Sequence, residues 1–417
     1  MTTSAWNRYF LVGMLGVCGA FLGACRSPST QQVPSQVVAP PPAPPVPPPP
    51  PPKPPFVRSS IPRLDFHVHV SLGAATRAVR MLERYGITYA VNLSGPPSDA
   101  GLDEYLADAE VAYGRLAVFT NLPWMEARQP GYAKKMVAAL VKAKAAGARG
   151  VKIPKGLGLG FTGPNGQLLK VDDPGLDPVF EKAGELGLPV AIHIGDPQAF
   201  WLPSDEKNER QEELQAHPEW SFYGDYKSGL VPAWRELFDA FLRRVQRHPK
   251  TTFIGVHFGN APEEPSLVAA ALDRYPNLVI DTAARIPAIG RTDANHSAER
   301  MRAFFIKYQD RILLGTDTGV GRDPNSLMFG SSGTAPTTQA DGDVFFDSTW
   351  RYFETADRDI PSPTPIQGRW TISGINLPPS VLEKIYYKNG EKLLGLTIQA
   401  GRVPVQESGS PPRLEDL

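Results

Sequence analysis

The pentapeptide Asp65-Phe66-His67-Val68-His69 sets a carboxylate and two imidazoles at alternate positions of an apolar run. A strand turns successive side chains to opposite faces, so all three are expected on one face, where two imidazoles can chelate a metal ion. Three later apolar runs end in groups that could complete the set: Val190-Ala191-Ile192-His193, Ile254-Gly255-Val256-His257 and Leu313-Leu314-Gly315-Thr316-Asp317. Four of the seven histidines therefore stand at strand ends. His217 and His248 precede prolines and His296 lies in a polar helix-start context, so these three are expected at the surface. Neutral imidazoles with a carboxylate suit one divalent ion, Zn²⁺ first, with Mn²⁺ or Fe²⁺ as alternatives. His67, His69, His193 and Asp317 are the expected ligands, leaving room for water or substrate. Such an ion lowers the pKa of bound water to about 7. His257 would then serve as general acid/base, and Asp317 could handle a proton through its second oxygen.

Groups so far apart in the chain need a scaffold that gathers strand ends. Apolar runs at Leu64–Val70, Ile87–Leu93, Leu116–Leu122, Gly150–Ile153, Leu188–Ile194, Thr252–Phe258, Leu278–Thr282 and Ile312–Thr316 read as strands. Helical spacing separates them, over Ala74–Tyr85, Tyr132–Ala146, Leu176–Leu186, Pro232–Arg247, Ser266–Tyr275 and Ser297–Tyr308. Gly86, Gly147 and Gly187 stand where glycine stops a helix. Eight alternating units predict an α/β fold, a (β/α)₈ TIM barrel over residues 61–400, with ligands converging at the C-terminal ends of its strands. A doubly wound sheet is the alternative, disfavoured because no glycine-rich phosphate loop follows the first strand. Two long connections, Asp196 to Gly229 and Thr318 to Val344, are expected on the same face. The first carries Phe200, Trp201, Trp220, Phe222 and Tyr223, which either line a pocket or hold the insertion together.

Residues 1–25 read as an export signal: Arg8 precedes an apolar stretch, Tyr9 to Gly23, too short for a mature span. Leu22-Gly23-Ala24-Cys25 resembles the bacterial lipobox, which implies a lipid on Cys25 as the anchor to a bacterial membrane, facing the periplasm or the cell surface. Only two cysteines occur and Cys18 falls in the segment removed, so no disulfide staples the fold. Residues 26–60 are proline-rich, unbroken from Pro47 to Pro52, and predict an extended spacer. Residues 401–417 are expected to be a disordered tail. With 43 basic and 43 acidic residues the chain shows no nucleic-acid footprint.

From Ile61 to Leu396 the sequence resembles the amidohydrolase superfamily, in particular the branch that holds aminocarboxymuconate-semialdehyde decarboxylase, resorcylate decarboxylases, a hydratase and lactonases. The likeness rests on the opening Asp-x-His-x-His, the histidines of strands five and six, and Gly315-Thr316-Asp317. It extends to the closing stretch Ile385-Tyr386-Tyr387-Lys388-Asn389 and Lys392-Leu393-Leu394-Gly395-Leu396. The resemblance implies His67, His69, His193 and Asp317 as metal ligands and His257 as the catalytic histidine beside them. Asp65 matches an acidic position, as an extra ligand or as a residue holding a neighbour. The run His257-Phe258-Gly259-Asn260 departs from relatives that carry glycine in place of Asn260. Lys152 ends strand four, where many superfamily members bridge two metals with a carboxylated lysine. This branch usually holds one metal, which leaves Lys152 and Arg285 to grip an anionic substrate group or to pair with an acid such as Asp281.

The leading expectation is a metal-dependent hydrolase of an ester, lactone or amide of a small anionic molecule. Non-oxidative decarboxylation is the alternative at the same ligands, and a catalytically retired surface binding module is the alternative of another class. Expected partners are a small-molecule substrate and, through Cys25, a membrane; an oligomer is compatible with the chain.

Overall fold

A computed structural model describes residues 56–195, 197–330 and 337–398. The expected export signal with Cys25, most of the expected proline-rich spacer and the expected tail lie outside the described residues. From Arg58 onward the chain is one unit, built on eight barrel strands. They are β1 (Arg63–Val70), β2 (Ile87–Gly95), β3 (Leu116–Thr120), β4 (Gly150–Ile153), β5 (Val190–Ile192), β6 (Phe253–Gly255), β7 (Leu278–Asp281) and β8 (Ile312–Leu313). Each pairs in parallel with the next. The eighth strand resumes as β9 (Thr318–Val320), which pairs in parallel with β1. Between the halves, Phe66 N–H donates to Leu314 C=O at 2.7 Å and Asp317 N–H to His67 C=O at 2.8 Å. The sheet thus closes on itself as the expected TIM barrel, and β10 (Leu327–Phe329) folds back antiparallel on β9.

The helices follow from amphipathic spacing and clear stops. α1 (Ala75–Arg84), α3 (Tyr132–Ala146), α4 (Asp177–Glu185), α5 (Trp234–Arg247), α6 (Pro265–Arg274) and α7 (Ala298–Lys307) lie where the pattern placed them. Among the longer helices, two were not foreseen. α2 (Leu102–Val111) buries only Leu102 and Ala109, too few apolar positions to announce a helical face. α8 (Gln339–Glu354) occupies the end of a stretch read as loop; a capping box between Thr338 and Asp341 starts it, and Phe345, Phe346, Trp350 and Phe353 bury one side. The aromatics of the β5 insertion mostly hold that insertion together. Phe200, Trp201 and Phe222 are buried, Trp201 packs on Phe222 with centroids 4.5 Å apart, and the Trp201 indole donates to Pro232 C=O.

Inside the barrel, Leu64 and Phe66 of β1 meet Val91, Leu93, Phe119, Ala191, Ile254 and Leu313. Phe66 stands edge-on to Phe119 at 5.7 Å. This apolar layer lies beneath the polar groups. The change of character along β1 needs a device, because strict alternation from Phe66 would turn His67 outward. Register supplies it: Asp65 faces Ala90 and Val68 faces Asn92, so β1 carries one residue more than β2 across this interval. Such a bulge resets the alternation. β2 repeats it against β3 between Asn92 and Gly95. Phe66 and His67 therefore both serve the interior, as do Leu93 and Ser94. The expectation that Asp65 shares a face with both histidines is corrected, because it precedes the bulge.

Two of the histidines expected at the surface are buried. His248 shares Asp177 with Arg244, and His296 bonds Asp293 and Pro262 C=O. A following proline constrains backbone, not burial.

The open end of α8 is tied to β1 by a buried ion pair, Arg63 to Glu354 at 2.6 Å. The guanidinium lies over the rings of Trp350 and Tyr386, 4.5 and 4.7 Å from their centroids, and the Tyr386 hydroxyl donates to the same carboxylate at 2.9 Å. Removing one partner of a buried pair leaves the other charge uncompensated. Glu354→Ala should therefore lower unfolding free energy by about 3–5 kcal/mol, read from the urea midpoint.

Candidate metal centre

His67 reaches the barrel axis from the bulge of β1 and is fully buried. Its Nδ1 lies 2.8 Å from Asp281 Oδ2 at the end of β7. Burial, then the neighbouring Lys152, pushes the ring well below the usual histidine range and disfavours its protonated form. A neutral ring with Nδ1–H on a carboxylate directs the lone pair of Nε2 inward. That Nε2 is buried without a hydrogen-bond partner among the described residues. Asp317 Oδ1 stands 3.5 Å from it and 3.3 Å from His69 Nε2. Both separations exceed a good hydrogen bond. They match instead the edge of about 3.4 Å between two donors that share a tetrahedral ion at 2.0–2.1 Å. Burial alone would raise the Asp317 carboxyl, yet His67, His69 and His257 around it hold it well below the usual carboxylate range. A buried orphan lone pair, a second imidazole and an ionised carboxylate fit a divalent cation. His67, His257 and Asp317 present donor atoms within 4.8 Å of one another.

The remaining histidines arrive from β5 and β6. The His193 ring lies 4.3 Å from that of His257, and the His257 ring 5.0 Å from that of His67. His69, less buried, sits on the rim and bonds Ser94 Oγ through Nδ1 at 2.7 Å. The structure thus brings His67, His69, His193, His257 and Asp317 together. Asp65 is different. Its carboxylate accepts from the N–H of His67 and Thr316 and from Thr316 Oγ1 at 3.1, 3.0 and 2.5 Å. It clamps β1 to the bend after β8, and burial raises it to about 7. Lys152 and Arg285 are both buried and both act electrostatically on His67. Cys25 lies outside the described residues.

Backbone strain marks the centre. His257, Phe258, Gly259 and Asn260 all have positive φ, at 55°, 57°, 70° and 63°, and Asn260 N–H closes the turn on Val256 C=O at 2.8 Å. A left-handed conformation costs about 1–2 kcal/mol for each ordinary residue. Local bonds hold it in place: His257 N–H donates to Asp281 Oδ1 at 2.7 Å, and His257 Nδ1, which must carry the proton, donates to Ala283 C=O at 3.0 Å. Asn260 Oδ1 accepts from Ile194 N–H at 2.9 Å while Nδ2 donates to Ile192 C=O at 3.1 Å, bracketing His193. Asparagine tolerates this φ, which accounts for its place where relatives were expected to carry glycine. Asp317 is left-handed as well, at 64°. At Gly315 an added Cβ would lie 3.0 Å from that of His67.

The sequence reading missed the roles of Asp281, Ser94 and Asn260. Asp281 carried a legible signal, an apolar run ending in an acid as at Asp317; Asn260 carried one in its departure from glycine, and Ser94 carried none beyond proximity to a strand end.

Among solved structures the chain is similar to a 2,6-dihydroxybenzoate decarboxylase, with 16% identity, a TM-score of 0.43, and 81% of this chain and 99% of that one covered. It is similar to a dihydroorotase from Campylobacter jejuni, with 14% identity, a TM-score of 0.45, and coverage of 81% and 84%. A dihydroxybenzoic acid decarboxylase from Polaromonas sp. JS666, solved with bound manganese, shares 14% identity at a TM-score of 0.46, with coverage of 80% and 96%. No curated protein matches significantly. The sequence model of the amidohydrolase family matches residues 64–396, and the chain therefore belongs to the amidohydrolase family.

Proposed function

We propose that this amidohydrolase binds one divalent ion, Zn²⁺ or Mn²⁺, through His67, His69, His193 and Asp317, and hydrolyses an ester, lactone or amide of a small anionic substrate. The observation that carries the reading is the spacing of Asp317 Oδ1 from two imidazole nitrogens, 3.5 and 3.3 Å. A bound ion there supplies an acidified water and polarises the scissile carbonyl. The chain's own groups do the rest. Asp281 holds the His67 ring in one tautomer. His257, with Nδ1–H on Ala283 C=O, has a basic Nε2 that takes a proton from the attacking water and returns it to the leaving group. Lys152 and Arg285, buried cations at the ends of β4 and β7, hold the substrate's anionic group. The reading includes export and a lipid on Cys25, supported by the sequence; among the described residues no helix is long and apolar enough to cross a membrane.

Elemental analysis of the purified protein should find about one equivalent of metal per chain, and His193→Ala should lose most of it. A wild-type protein that holds no metal would refute the site. His257→Asn should keep its metal while kcat/KM falls by about 10²–10⁴. On a panel of esters, lactones, amides and aromatic acids, ¹⁸O from water should enter the product. Carbon dioxide released without that label would replace hydrolysis by decarboxylation, and no turnover at all would favour a retired binding module. Asp281→Asn should weaken metal affinity by about 10–100-fold, since it loosens the ring it orients, as measured by competition with a chelator.

A further inference from the structure

Over the barrel mouth, the segment 361–367 contains three buried polar side chains whose hydrogen-bonding atoms find no partner among the described residues. They are Ser362 Oγ, Thr364 Oγ1 and both ends of the Gln367 carboxamide, Oε1 and Nε2. Gln367 is fully buried, and Ser362 and Thr364 are 5% and 4% exposed. One orphan is unremarkable, but a glutamine with neither amide atom bonded is expensive and concentrated expense of this kind marks a place kept ready for something else.

The location supports a ligand. The turn Pro365–Gln367 packs against Ile286–Gly290, which directly follows Arg285, and against Gln211–Ala216 of the β5 insertion. Thr364 abuts Gly330, where an added Cβ would lie 2.8 Å from its hydroxyl, and Gly330 N–H reaches Asp317 C=O at 3.3 Å. The segment therefore sits among connections that leave the C-terminal ends of β5, β7 and β8, the face on which the metal centre opens.

We infer that Gln367, with Thr364 and Ser362, forms a recognition subsite for an uncharged group that presents a donor and an acceptor side by side. A carboxamide offers N–H and C=O along one edge, and its best complement is another edge of amide type. None of the three residues is charged, so the subsite is distinct in chemistry from Lys152 and Arg285. It would hold a part of the substrate remote from the bond being broken, and in placing that reaction at the metal it rests on the reading above.

The test uses the metal-loaded full chain and two small rings read by ligand-observed NMR. 2-Piperidone carries N–H and C=O side by side; cyclohexanone offers the acceptor alone. Wild type should bind the lactam at least about tenfold more tightly than the ketone, because a site built for a polar edge rejects a ring that leaves part of it unpaired. Gln367→Met should erase the preference with metal content unchanged. Its melting midpoint without ligand should equal or exceed that of wild type, since the unpaired amide is gone. Thr364→Val should shift both readouts the same way and covers a failure of the first variant to fold. Equal binding of the two rings, no binding of either, or a midpoint lowered by several degrees in both variants would overturn the subsite; the last would mean that these groups are bonded inside the protein. Absence of metal with the lactam preference intact would instead count against the catalytic reading alone.

Discussion

Asp281 is a carboxylate with no exposure to water, placed where β7 ends and supplied with three donors: His67 Nδ1, the N–H of His257 and the N–H of Ala283. Burial raises it to about 6, against the pull of His257 and Lys152. A carboxylate in such a place persists only if its lone pairs are used. Using them orients the ring of one proposed metal ligand and fixes the backbone of the proposed acid/base. Remove that one group and the inward lone pair of His67 and the left-handed turn at His257 both lose their support.

The same economy of position recurs around the rim. The lower barrel must be filled by apolar side chains, while its mouth must present polar ones. On β1 and β2 the change is made by bulges, which let Phe66 and His67, or Leu93 and Ser94, serve the interior in succession. On β6 it is made by a left-handed turn, and beyond β8 by a single left-handed residue, Asp317. These irregularities cost conformational energy that a regular barrel would not spend, and they lie next to the proposed metal centre.

How much of this was legible depends on whether the signal was local. The eight apolar runs lie where the strands are, because a strand buried on both faces must be apolar along its length. His67, His193, His257 and Asp317 stood out since an ionisable group at the end of such a run has no packing reason to be there. Asp65 was misplaced because alternation is a rule for regular strands and the bulge follows it by one or two residues. His248 and His296 were misjudged for a related reason: their burial is set by Asp177 and Arg244 in one case and by Asp293 and Pro262 in the other. Arg244 and Asp293 lie four and three residues from their histidines, but neither spacing by itself announces burial, which Asp177 and Pro262 complete from far along the chain.

By itself, then, the sequence determined the barrel, the approximate ends of its strands and the chemical character of the groups standing there, because period, burial and residue type are properties of short stretches. Tertiary structure alone decided which way each group faces, which carboxylate orients which imidazole, and which polar side chains of the segment over the mouth find no partner among the described residues. Those outcomes depend on contacts between residues as far apart as Asp65 and Thr316, or Asp317 and His67, which come into being only when the sheet closes.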